Sequence, residues 1–238
     1  LAKKTSHLPS LWATLRKTLF FLVASSIAAV VLLRWLPAPT TTFMLYRHYE
    51  DLVDDHSFKA INYQWLSAKN ISPNAMAAVI ASEDQLFYQH FGFDLKSIGS
   101  SINAYINGGQ RLRGASTISQ QVAKNLFLTP SKSFIRKGLE AWFTLLIEIV
   151  WSKERILTVY LNIAEFGDHL FGIEAASQRY FGIPAKNLSR PQAAMLAATL
   201  PNPLRLKAAQ PSSYVIRRQQ WILRQMRNLG DGRDSASD

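Results

Sequence analysis

At 238 residues, 48% of them hydrophobic and 18% charged, the chain can bury one core of ordinary size with some residues left over. It has no cysteine, which excludes disulfides and thiolate metal sites. A formal net charge of +11 suits nucleic acid, an anionic membrane or a phosphorylated substrate, but zinc-finger spacing, an RNP-type aromatic motif and a dense basic helix are all lacking, which argues against nucleic acid.

Lys3, Lys4, Arg16 and Lys17 precede an uncharged run from Thr18 to Leu33, and Arg34, Trp35 and Pro37 follow it. The run is near the short limit for a spanning helix, about 17 residues. Snorkelling of Arg34 and an interfacial Trp35 extend it. Arg34-Trp35-Leu36-Pro37 is a poor cleavage site, so a retained anchor is expected rather than a signal peptide. The positive-inside rule makes residues 1–17 a cytoplasmic tail and 18–36 the transmembrane helix, with the remainder exported.

Residues 37–71 read as a juxtamembrane segment. Its Phe43, Leu45, Tyr46 and Tyr49 predict packing on the domain or on the bilayer. Residues 72–229 read as one helical domain and 230–238 as a tail. Ser72-Pro73 is a cap followed by proline at the first helical position, and Thr117-x-x-Gln120 fits a capping box. Ser133 caps a helix to about Trp151, and Ser152 begins the next. Ser189 precedes an alanine-rich run that stops at Pro201. A last helix from Ser213 is expected to end at Gly230. No sustained two-residue alternation predicts a large sheet, so the fold class is mainly α.

Two glutamates dominate the chemistry. Met76, Val79, Ile80, Glu83 and Phe87 share one helical stripe, which points Glu83 where apolar side chains point. Such surroundings favour proton transfer by a carboxylate; a carboxylate fraying outward at a helix end fits the same pattern. Around Glu140 a polar stripe of Ser133, Arg136, Lys137, Glu140, Thr144 and Glu148 opposes an apolar face of Phe134, Ile135, Leu139, Trp142, Phe143, Leu146, Ile149 and Val150. Arg136 and Lys137 neighbour Glu140. Taken alone, this reads as a surface ion-pair cluster worth little stability.

The glycine-bounded basic segment from Gly108 to Gly114 reads as a mobile loop. The helix after Ser116 presents Gln120, Gln121, Lys124 and Asn125, whose amides and ammonium suit sugar and phosphate oxygens, and its N-terminus favours anions. His90 shows no acid/base partner. A histidine–carboxylate cluster at metal-ligand spacing is not evident.

These runs, in order, resemble the peptidoglycan glycosyltransferases of glycosyltransferase family 51. The family's Glu-Asp-x-x-Phe-x-x-His-x-Gly motif is matched by Glu83, Asp84, Phe87, His90 and Gly92. Its Gly-x-Ser-Thr-Ile-x-Gln-Gln motif is matched from Gly114 to Gln121, through Ser116 and Thr117, with Lys124 and Asn125 following. Arg136, Lys137 and Glu140 match Arg-Lys-x-x-Glu. Lys153 to Asn162 match a fourth run and Ala193 to Ala197 a fifth. Lys132 stands where many relatives have arginine, replacing a bidentate fork with a point charge.

The resemblance implies a lysozyme-like, two-lobed α-helical domain behind an N-terminal transmembrane helix, in the monofunctional biosynthetic branch. It implies that lipid II and a lipid-linked glycan chain are the substrates, in a bacterial inner membrane with the catalytic domain periplasmic. Cell-wall synthesis or division proteins would be partners. Glu83 would deprotonate the acceptor hydroxyl and Glu140 would organise the donor site. Asp84, Phe87, His90, Gly114, Ser116, Thr117, Gln120, Gln121, Lys124, Asn125, Lys132, Arg136 and Lys137 would bind substrate. Some relatives use a divalent cation, Mg2+ or Mn2+, at the pyrophosphate, and the motifs leave that choice open. A lytic enzyme on the same scaffold and a non-catalytic cell-wall scaffold are the alternatives; growth of lipid II polymer against shortening of finished glycan separates them.

Overall fold

The computed structural model describes residues 11–55, 57–96, 99, 103, 116–131 and 133–234. It is mostly helical, as expected. Helix α1 (Leu11–Leu33) is long and apolar enough to cross a membrane. It begins before the uncharged run, taking in Arg16 and Lys17, whose long stems favour a helix and can keep their charges in water. Its C-terminal end docks on the rest of the fold. Trp142 Nε1 donates to Ser26 Oγ at 3.1 Å, and Trp151 Nε1 donates to the Val30 carbonyl at 2.8 Å. Arg155 Nη2 donates to the Leu33 carbonyl at 2.6 Å, satisfying a terminal acceptor that the helix itself leaves open.

The segment after α1 packs on the helical body. Thr41 caps α2 (Thr42–Glu50), which continues as one π-helical turn, Asp51–Asp55. Thr42 Oγ1 donates to the Leu126 carbonyl at 2.8 Å, and Met44 is buried. Strand β1 (Asn62–Tyr63) joins a three-stranded sheet in the order β1-β3-β2, parallel to β3 (Leu170–Phe171) and beyond it from β2 (Glu165–Gly167). Asn62 pairs with Leu170 and Tyr63 with Phe171.

The expected caps form. Ser72 Oγ accepts from the Asn74 amide above α3 (Pro73–Glu83). Thr117 and Gln120 close a capping box on α4 (Ile118–Phe127). Ser133 caps α5 (Phe134–Val150), and Ser152 caps α6 (Lys153–Ile163). Helix α7 (Ile173–Phe181) follows the sheet and stops at Gly182, in the left-handed conformation. Ser189 and Gln192 box the start of α8 (Arg190–Thr199). Helices α3, α8 and α9 (Ser213–Asp234) pack together, while α4 lies against α5 and α6. Their shared core runs through Val79, Ile118, Ile147, Leu161, Ala197 and Ile222.

Three expectations are corrected. Helix α9 runs past Gly230 to Asp234; glycine costs a helix only about 1 kcal/mol relative to alanine, too little to force a stop. Helix α3 ends after Glu83, so Phe87 lies beyond its stripe, in a turn. The polar stripe of α5 is not a surface cluster along its whole length. Glu140, Thr144 and Glu148 are buried, while Phe134, Ile135, Leu139 and Ile149 are 98%, 79%, 45% and 63% exposed. Glu148 meets Ser119 and Lys153, Glu140 is paired by Arg136 and Lys137 of its own helix, and α5 also contacts α1.

Candidate active site

Glu83 closes α3, and its carboxylate is held from three sides. Gln121 Nε2 donates to Oε2 at 3.2 Å, Ser82 Oγ donates to Oε1 at 3.2 Å, and Arg218 Nη2 donates to Oε1 at 3.3 Å. The apolar surroundings expected for this side chain are therefore replaced by polar ones. Gln121 is itself oriented by the buried Tyr160, whose hydroxyl donates to Oε1 at 3.2 Å. Burial pushes the Tyr160 hydroxyl pKa well up, with Glu83 acting in the same direction, so it serves as a donor.

Asp84 leaves the helix axis and turns inward. Its backbone at φ −160° and ψ 77° breaks α3. His90 Nε2 lies 2.8 Å from Oδ1, and the Ile118 amide donates to Oδ2 at 3.0 Å. Burial pushes the Asp84 pKa up, while His90, the Ile118 amide and Lys153 oppose that rise. His90 thus has an acid/base partner, six residues away. Phe87 is fully buried, with the Lys153 ammonium 4.6 Å from its ring centroid. Lys153 also donates to the His90 carbonyl and to Glu148, each at 2.8 Å. Gly92, at φ +80°, brings its carbonyl to Thr117 Oγ1, which donates at 2.6 Å. Gln120 spends its amide oxygen on the Thr117 amide. Asp84, Phe87, His90, Thr117 and Gln120 consequently form the frame that joins α3 to α4.

Glu140 is only 3% exposed, and the surface ion-pair reading is corrected accordingly. Arg136 Nη1 donates to Oε2 at 2.6 Å, and Lys137 Nζ pairs with Oε1. One helical turn places all three on the same stripe. The site's free cation is Lys124: it makes no hydrogen bond or ion pair with the described residues. Burial pushes its ammonium pKa down; Glu140 opposes that shift, Arg136 and Lys137 add to it, and Glu83 opposes it. Lys124 thus lies in the fields of both glutamates.

Lys124, Gln121 and Asn125 also line a cleft with Arg47, Glu165 and the 200–204 turn. Arg47 grips Glu165 with a bidentate fork, 3.0 and 2.7 Å, the strong geometry for such a pair. Ser116 is exposed just ahead of α4. Gly114, Lys132 and the Gly108–Gly114 segment lie outside the described residues. The spacing of Arg218, Arg47 and Glu165 carried no signal. Glu148 already lay on the polar stripe of α5, and Lys153 and Tyr160 lay within the fourth run.

The Transglycosylase family model matches residues 51–227, including the π-helical turn after α2 and the sheet. A biosynthetic peptidoglycan transglycosylase of Cronobacter sakazakii is 55% identical over 204 residues, covering 86% of this chain and 84% of its own. One of Shewanella oneidensis is 52% identical over 217 residues, 91% of each chain. One of Pseudomonas putida is 50% identical over 223 residues, 94% of each. With the family model spanning most of its length, this chain belongs to the transglycosylase family.

Proposed function

We propose that the protein is a peptidoglycan glycosyltransferase that polymerises lipid II into glycan strands. The observation that carries this is Lys124, a cation with no partner among the described residues, set in the fields of both Glu83 and Glu140. Glycosyl transfer from a pyrophosphate needs a base at the acceptor and positive charge at the leaving group. Glu83 takes the proton of the acceptor 4-hydroxyl as its oxygen bonds the donor anomeric carbon. The bond from that carbon to the pyrophosphate oxygen breaks, with inversion, and undecaprenyl pyrophosphate departs with the electron pair. Lys124 offsets the charge that develops there. Glu140 keeps Arg136 and Lys137 in place beside it, and Gln121 and Asn125 meet substrate oxygens.

A Mg2+ or Mn2+ ion enters this reading only as a companion of the pyrophosphate. Hard cations take oxygen ligands, and both Glu140 oxygens are occupied by Arg136 and Lys137. The anchor α1, and the exposed apolar face of α5 beside it, support a single-pass protein in the inner membrane with its catalytic body outside the cytoplasm. Purified protein incubated with lipid II should build glycan and leave finished glycan intact. Shortening of finished glycan without polymer growth would overturn the reading in favour of a lytic enzyme.

A further inference from the structure

His48, Asp51 and His169 converge on one point at the opposite end of α2 from its cap. Their ligand atoms all lie within 4.8 Å of one another. His48 Nδ1 is 3.9 Å from Asp51 Oδ2, and His169 Nε2 is 3.0 Å from the same oxygen. Neither ring nitrogen makes a hydrogen bond with the described residues, although both are buried. At 3.9 Å the first is too far, and the second is out of line despite its distance. The His169 ring is only 8% exposed.

His169 Nδ1 lies 2.8 Å from Asp168 Oδ1, a carboxylate placed as metal-ligating imidazoles commonly have one on their other nitrogen. We infer that His48 Nδ1, Asp51 Oδ2 and His169 Nε2 form a binding site for a divalent transition metal of the zinc class. Tetrahedral ligands about 2.0–2.1 Å from zinc are separated from each other by about 3.4 Å. The observed separations of 3.0 and 3.9 Å bracket that value. Two imidazoles and one carboxylate suit zinc rather than magnesium or calcium, with a fourth position open to water.

The surroundings are built to hold these three groups. The Lys59 amide donates to Asp51 Oδ2 at 3.1 Å. The His48 ring stacks on Phe58 with centroids 4.4 Å apart. His169 adopts φ +56°, a conformation that side-chain-bearing residues rarely take and that aims its ring at Asp51. The metal would clamp the end of α2 to the turn between β2 and β3. It uses none of the groups around Glu83, Lys124 and Glu140, so it stands apart from the reading of that cleft.

The test is direct metal binding to the full chain in detergent, stripped with chelator and without any lipid substrate. Zinc should bind one ion per chain with about micromolar affinity or tighter, raising the thermal midpoint. Cobalt should give the visible absorption of a tetrahedral site, and magnesium should not compete. His48→Gln and Asp51→Asn should each weaken zinc binding at least about tenfold and abolish the zinc-dependent thermal shift. His48 is a quarter exposed, so its variant should fold, as far-UV circular dichroism will report. Absence of zinc binding by the unaltered chain at millimolar metal overturns the proposal. Unchanged binding by His48→Gln and Asp51→Asn overturns it equally.

Discussion

Arg218 on the last helix reaches Glu83 across 135 residues of chain, its Nη2 3.3 Å from Oε1. The contact ties α9 to the end of α3 and gives the carboxylate a fixed cationic neighbour. With Gln121 on the other oxygen, Glu83 is held as an oriented acceptor. Glu83→Gln should lower lipid II turnover by about a hundredfold or more with the fold intact. Arg218→Ala should lower it by about tenfold, since the base remains but its orientation relaxes. Single-turnover polymerisation assays and circular dichroism check both; near-normal turnover by Glu83→Gln would remove it as the base.

Glu140 has a different duty. Its two oxygens hold Arg136 and Lys137, so Glu140→Gln should impair turnover through the proposed donor site. The acidic limb of the pH–rate profile should persist in whatever activity remains. Loss of that limb in Glu140→Gln would transfer the proton-accepting role to Glu140.

Lys124 sets the alkaline side. Burial disfavours its charged form, so it sheds its proton at lower pH than an exposed lysine. As pH rises, kcat/KM should therefore fall before the usual lysine range is reached, because the free enzyme loses the charge proposed to meet the pyrophosphate. In kcat the limb should move upward, since a bound anion favours the protonated amine. Lys124→Arg, which stays charged, should lose the alkaline limb from its residual kcat/KM.

Gly92 permits the approach of α5 to the turn after α3. A Cβ there would lie 2.8 Å from Thr144 Cγ2 and 2.9 Å from Glu148 Cγ, at φ +80°. Gly92→Ala should cost about 3 kcal/mol from backbone strain and crowding. Thermal or denaturant unfolding measures it, and a loss below about 0.5 kcal/mol would show that the turn relaxes freely.

Topology can be read with one thiol, because the chain has no cysteine of its own. Lys207 is exposed. Lys207→Cys should react with an impermeant thiol reagent once the outer membrane is permeabilised. Labelling only after lysis of the inner membrane would reverse the orientation.

Local chemistry was legible before any fold. The caps at Ser72, Thr117, Ser133 and Ser152 are short-range devices, each complete within four residues, and each starts a helix where its pattern stands. The apolar helix near the N-terminus and the ordered glutamate motifs were legible for the same reason. Periodicity alone also showed that α5 has two unlike faces, but not which one turns inward. Glu148 is buried against Ser119 and Lys153, and no spacing within α5 records them. The pairing of Asp84 with His90 required the helix to end at Glu83. The approach of Arg218 to Glu83, and of His169 to Asp51, joins segments more than a hundred residues apart. Those relations exist only once the helices pack, because a side chain's partner across the fold is set by tertiary geometry and leaves no period in the chain.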